Sequence, residues 1–172
     1  MKELQNIANQ NSTLFDDFKS IRDFEVEWNK VIYYCNYRER CVSEVKKKMN
    51  ELELSNNVQE DFLLELGRLK MVDDERFAVH YAQSKFNIKH WGRNKIRQEL
   101  SMKKITSSYI NEALYAIDDD EYIAELDRLL DSKKSRTKGK SKQDLQMKLY
   151  RFVYYKGFES ELIRERLNLL FK

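Results

Sequence analysis

A chain of 172 residues with 41% apolar and 35% charged side chains is long enough to bury a core, and its net charge of +3 gives it no strong overall field. Nine Phe, ten Tyr and two Trp exclude a disordered polar chain. No apolar run approaches the roughly 18 residues of a membrane span, and the two cysteines, Cys35 and Cys41, make neither a disulfide framework nor a zinc spacing.

The absence of proline and the presence of only four glycines favour long helices and argue against a sandwich, which needs frequent Gly/Pro turns. The expected class is all-α. Met1 to Gln10 lacks the apolar core of a signal peptide, and unpaired cysteines suit a reducing compartment, so a cytoplasmic location is expected.

In chain order, residues 1–23 read as a polar arm containing Asn6, Asn9, Gln10, Asn11 and Ser12, with Leu14, Phe15 and Phe18 able to dock a short helix. Residues 24–37 place Phe24, Trp28, Val31 and Ile32 near one helical face. Ser43 precedes a second helix, and Asn57 with Glu60 makes a capping pattern for a third. Asp73 is a cap candidate for residues 74–88, which carry Phe77, Ala78, Tyr81 and Phe86. Gly92 opens the next helix. Residues 120–132 space Ile123, Leu126, Leu129 and Leu130 for burial, and Ser141 with Asp144 forms a capping box further on.

An internal repeat organises these segments. Val45, Met49, Leu54, Val58, Leu63 and Leu66, moved by 51, become Ile96, Leu100, Ile105, Tyr109, Leu114 and Ile117. A further step of 53 gives Leu149, Val153, Phe158, Leu162, Leu167 and Leu170. All eighteen positions are apolar or aromatic. Their spacing describes two helices meeting at a tight corner, and each pair is preceded by another helix. The expected architecture is three tandem three-helix repeats forming an elongated, curved array: residues 24–69, 70–117 and 118–172.

Charge alternates along the chain. Residues 118–131 hold seven acids against Arg128, whereas Lys133 to Lys142 holds six cations and no acid. That basic run reads either as a loop or as a charged helix extension, with solvation as the default.

The stretch Leu69-Lys70-Met71-Val72-Asp73-Asp74-Glu75-Arg76-Phe77-Ala78, followed by Gly92-Arg93-Asn94-Lys95-Ile96-Arg97-Gln98-Glu99-Leu100, resembles the most recognisable part of the RecX family. The carrying residues are Asp73, Asp74, Phe77, Gly92, Ile96 and Leu100. Arg38 to Val45 is similar to the first-unit version of the pattern, and Tyr154-Tyr155-Lys156-Gly157-Phe158 to the third, with Gly157 at its corner. The resemblance spans about residues 28–170. It departs at Lys103-Lys104-Ile105, where the family often has Lys-Gly-Ile, so Lys104 must make the turn without glycine's freedom or use another turn.

This resemblance implies a regulator that binds RecA and the RecA–DNA filament, restraining filament growth, strand exchange, ATP hydrolysis and coprotease activity in DNA repair and the SOS response. It implies no catalytic residues, cofactor or metal, and a monomer is expected. The other functions kept open are a stand-alone helical DNA-binding module, with weak non-specific DNA contact, and a protein-interaction adaptor.

Partner-contact candidates follow from the basic and aromatic residues. Arg93, Lys95 and Arg97 open one helix, with Lys95 turned roughly 160° from its neighbours. They read either as contacts to phosphates or an acidic RecA surface, or as a solvated helix end. Lys148, Arg151 and Tyr154 lie off the apolar stripe of Leu145, Leu149, Phe152 and Val153, and read either as an interface or as local packing. Asp73 and Asp74 read as helix-start residues rather than a metal or acid–base pair. His80 and His90 stand alone without ligand spacing.

Overall fold

The computed structural model describes residues 19–172, so the polar stretch before them, with Leu14, Phe15 and Phe18, lies outside the described residues. Within them every regular element is an α-helix: α1 (Lys19–Asp23), α2 (Glu25–Tyr37), α3 (Val42–Glu51), α4 (Asn56–Arg68), α5 (Asp74–Lys89), α6 (Arg93–Met102), α7 (Ser107–Tyr115), α8 (Asp119–Ser135), α9 (Lys142–Tyr155) and α10 (Ser160–Leu170). The helices α2–α4, α5–α7 and α8–α10 are the three tandem repeats. No helix among the described residues is long and apolar enough to cross a membrane.

Helix α1 occupies the end of the stretch read as an arm. Its Ile21 is 2% exposed and belongs to the first core, because α1 packs on α4. A single apolar residue in a five-residue helix carries no periodicity that could have announced this.

Fourteen of the eighteen repeat anchors are buried, and Leu63, Tyr109, Leu162 and Leu170 are half-buried. In α7 and α10 the inward place belongs to the next residue, Ile110 at 2% and Ile163 at 0% exposure. One residue turns a helix by about 100°, so two adjacent positions can flank one stripe and only the packing partner chooses between them.

The corner between second and third helices repeats atom for atom. Leu54, Ile105 and Phe158 donate their N–H to the carbonyls of Met49, Leu100 and Val153, at 3.2, 3.2 and 3.3 Å. The preceding residues, Glu53 (φ 57°), Lys104 (φ 62°) and Gly157 (φ 94°), are left-handed and donate to Asn50, Ser101 and Tyr154. This is the Schellman helix stop. Lys104 therefore makes the glycine-type turn despite its side chain.

The chain divides into two compact units, one ending at Phe77 and one beginning at Ala78. In the first, the edge of Trp28 meets Phe62 at 4.9 Å, above Val31, Val45, Met49 and Leu66. Buried Gln59 locks the α3–α4 corner, donating to Asn50 Oδ1 at 2.7 Å and to the Leu54 carbonyl at 2.8 Å. Helix α4 starts after Ser55 without a side-chain cap, so the expected Asn57–Glu60 box does not form. Nor does Ser43 cap α3, whose N-cap is Cys41. Instead the Val42 N–H donates to Asp74 Oδ1 at 2.8 Å. Asp74 thus serves the start of a helix 32 residues earlier, a tertiary cap invisible to local spacing. Burial raises its carboxyl above the ordinary range, and the Val42 N–H pulls the other way. Asp73 behaves as expected, accepting from the Arg76 N–H at 2.9 Å.

In the second unit Tyr122, at 1% exposure, sits between Phe86 and Phe158, with ring centroids 5.8 and 5.0 Å away. It takes the inward place expected of Ile123, which is half-buried. The Ser141 cap forms: Ser141 Oγ accepts from the Asp144 N–H at 3.1 Å, while the Asp144 carboxylate reaches one residue further back than a full capping box and accepts from the Lys140 N–H at 2.8 Å. The basic run after 132 is partly helical, since α8 continues to Ser135. Two of its cations close a helix end: Lys134 donates to the Leu170 carbonyl at 3.2 Å and Lys142 to the Phe171 carbonyl at 2.7 Å. They satisfy the open end of α10, where a helix presents unpaired carbonyls and partial negative charge.

Candidate partner interface

The basic start of α6 is built against the third repeat. Gly92 donates its N–H to the Lys156 carbonyl at 2.7 Å, and the Asn94 N–H donates to the Gly157 carbonyl at 3.0 Å. Between them, the Arg93 N–H donates to the Tyr122 hydroxyl at 2.9 Å, and that hydroxyl donates to Glu159 Oε2 at 2.7 Å. Three of the amides that this helix start could offer to an anion, those of Gly92, Arg93 and Asn94, are therefore already satisfied.

Two glycines make this approach possible. A Cβ on Gly92 would stand 2.3 Å from the backbone of Gly157 and Phe158, and one on Gly157 would stand 2.4 Å from the Lys95 Cβ. The sequence marks both glycines as motif positions. Their reason is tertiary: backbone of one repeat lies on backbone of the next.

The six contact candidates fall into two sets. Arg93 is spent inside the fold: its Nη2 donates to the Ile117 carbonyl at 2.7 Å and to Asp119 Oδ1 at 2.6 Å, and its guanidinium lies 4.3 Å from the Tyr122 ring centre. Lys148 is likewise occupied, with Nζ 2.8 Å from Asp144 Oδ2 and donating to the Lys138 carbonyl at 3.1 Å. The hydrogen bond from Lys148 is the chief reason that the Asp144 carboxyl stays below its usual range.

The other four face outward or half-outward. Lys95 Nζ lies 4.6 Å above the Trp91 ring. Arg97 is exposed, with one amine donating to Asn111 Oδ1 at 2.7 Å. Arg151 is exposed and has no polar partner among the described residues. Tyr154, half-exposed, stacks on Tyr150 at 5.7 Å and meets the edge of Tyr155 at 6.2 Å.

Lys95 belongs to a larger ladder that sequence reading missed. Lys85 Nζ lies 4.9 Å from the Tyr81 ring and 5.5 Å from Trp91, and Lys103 Nζ lies 5.6 Å from Tyr81. Three lysines thus alternate with two rings, held by cation–π attraction. The available signal is the i, i+4 spacing of Tyr81 and Lys85, but Tyr81 reads as one of the apolar residues carried by 74–88, and Trp91 lies beyond the helix end. His90 also has company: its Nδ1 is 2.8 Å from Glu125 Oε1, which pairs with Arg128 at 2.6 Å. Among the described residues, no group of three or more His, Cys, Asp or Glu is arranged to hold a metal ion.

Residues 73–114 match the family model of the second three-helix domain of RecX, and residues 119–167 match that of the third. A regulatory protein RecX from Chlorobium phaeobacteroides (strain BS1) is 32% identical over 135 residues, covering 78% of this chain and 87% of that protein. The chain belongs to the RecX family. Another RecX, from Clostridioides difficile (strain 630), is 27% identical over 168 residues, covering 96% of this chain and 79% of its own length. The chain spans only 52% of the RecX of Halalkalibacterium halodurans, with 29% identity. The crystal structure of RecX from Lactobacillus salivarius shares the fold, with a TM-score of 0.79 at 23% identity, over 87% of this chain and 97% of the other. The domain matches cover the motif residues Asp73, Asp74, Phe77, Gly92, Ile96 and Leu100 in the second domain and Gly157 in the third. The named relatives support a RecX regulatory role for this chain.

Proposed function

We propose that this chain is a non-catalytic regulator of the RecA recombinase, binding RecA and the RecA–DNA filament as a monomer and lowering recombinase, ATPase and coprotease activity. One observation carries the reading: two successive domain matches to RecX, in the family's order, on a fold shared with a solved RecX. The contact residues in this reading are Lys95, Arg97, Arg151 and Tyr154, whose charges or rings remain available at the surface of the second unit. Arg93 and Lys148 support the fold beneath them. Aromatic rings interleaved with cations suit an interface that is partly apolar and complementary to negative charge.

The test is ATP hydrolysis by RecA on single-stranded DNA, titrated with this protein. Hydrolysis is expected to fall as the protein is added, and the protein to co-sediment with the filaments. Unchanged hydrolysis and no co-sedimentation at several-fold molar excess over RecA would remove the proposal.

A further inference from the structure

The first unit carries a groove of about 640 Å³ whose lining includes Lys30, Tyr33, Tyr34, Tyr37, Arg40 and Lys48. Tyr33 and Tyr37 are one helical turn apart on α2, about 6 Å along its axis, and are 74% and 77% exposed. Tyrosine rings this exposed on one face contribute little packing among the described residues of the unit.

Arg40 stands out among the cations. It is 7% exposed, its guanidinium lies 3.8 Å from the Tyr34 ring centre, and its Nε donates to the Tyr34 carbonyl at 3.3 Å. Among the described residues that carbonyl is its one hydrogen-bond partner, and no carboxylate among them pairs with it. A buried charge without a counter-charge is costly, and an arriving anion relieves that cost. The neighbouring Cys35 thiol does not supply the charge, because burial pushes it up to about 11 even with Arg40 drawing it down. Lys48 and Lys30 also line the groove, each beside a carboxylate of its own helix, Glu51 at 3.3 Å and Glu27 at 4.0 Å.

We infer that this groove seats single-stranded nucleic acid, with bases laid on Tyr33 and Tyr37 and backbone phosphate taken by Arg40 and Lys48. The ring spacing and the flanking cations match the pairing of stacking platform and phosphate contact used for unpaired strands. An acidic peptide would meet the cations but leave both exposed ring faces bare. Recognition here is independent of base identity, since every base offers a face to stack. The site belongs to the first unit, whereas the RecA contacts proposed above belong to the second, and it does not depend on them.

The experiment uses the full chain, a fluorescein-labelled oligo(dT) and no RecA, so its outcome is separate from that of the ATPase titration. Binding is followed by anisotropy over a range of salt, with circular dichroism verifying that each variant is folded. The pair Tyr33→Ala/Tyr37→Ala is expected to weaken binding about tenfold or more while keeping the salt slope. Lys48→Glu is expected to weaken binding and to flatten the slope by about one unit. Photo-crosslinking of an iodouracil-substituted strand should map to Tyr33 or Tyr37. Wild-type affinity in the tyrosine pair, crosslinks confined to the second unit, or equal competition by poly-glutamate would each overturn the inference.

Discussion

Tyr122 shows how one side chain can join two repeats. Its ring fills the centre of the second unit, and its hydroxyl answers two groups that would otherwise lack partners, the Arg93 N–H and the Glu159 carboxylate. Removing the hydroxyl by Tyr122→Phe leaves a part-buried N–H unpaired, so a loss of about 1–3 kcal/mol is expected in urea unfolding. The pH dependence follows from the same burial. Desolvation raises the phenol well above its ordinary value of 10.0, with the Arg93 N–H pulling down and Glu159 adding to the rise. The folded state thus holds this proton more tightly than the unfolded chain does. Its contribution is whole below about pH 10 and declines as pH rises further, by up to about 1.4 kcal/mol per unit. Tyr122→Phe should lack this alkaline component. Equal alkaline slopes for both proteins would show that the phenol does not set it.

At the scale of the element, the informative object is the corner between second and third helices. Glu53, Lys104 and Gly157 occupy one geometry with different chemistry. Lys104 bears a Cβ in the left-handed region, which costs roughly 1 kcal/mol, while its side chain is exposed. Lys104→Gly should therefore stabilise the protein by about 0.5–1 kcal/mol, less what glycine gains in the unfolded chain, and raise Tm by roughly 1–4 °C. Gly157→Ala should do the reverse. It combines the same strain with a Cβ driven into Lys95, and overlap of this kind costs about 1–3 kcal/mol in addition. Gly92→Ala isolates the overlap, since φ at Gly92 is −77° and suits any residue. Thermal melts of the three variants should rank Lys104→Gly above wild type and both glycine variants below it, with Gly157→Ala lowest. Any other order would mean that the corners are not limited by backbone conformation.

For the molecule as a whole, net charge says little and local pairing says much. Several cations close helix ends, as Lys134 and Lys142 do, or pair within the fold, as Arg93 does with Asp119 and Arg166 with Asp127. What remains for a partner is a smaller set. Charge reversal of Arg97 together with Arg151 is therefore expected to weaken the proposed effect on RecA ATPase about tenfold or more, with thermal stability near wild type, because both side chains are exposed. Reversal of Arg93 should instead lower stability. If the double reversal inhibits RecA as well as wild type does, the proposed contact surface is misplaced.

Helical class, the threefold repeat, the corners and the Ser141 and Asp73 caps were all legible in the chain itself, because each rests on interactions within a few residues or on a period that recurs. The tertiary structure decided the rest. It set Tyr122 inward in place of Ile123, gave Asp74 to Val42, laid Gly92 on Gly157 and turned Arg93 from a surface charge into a tie. Each of those outcomes joins atoms more than twenty residues apart or depends on which of two adjacent helical positions a neighbour covers. Local spacing carries no information about either, since a side chain's partner across the core is fixed only when the helices pack.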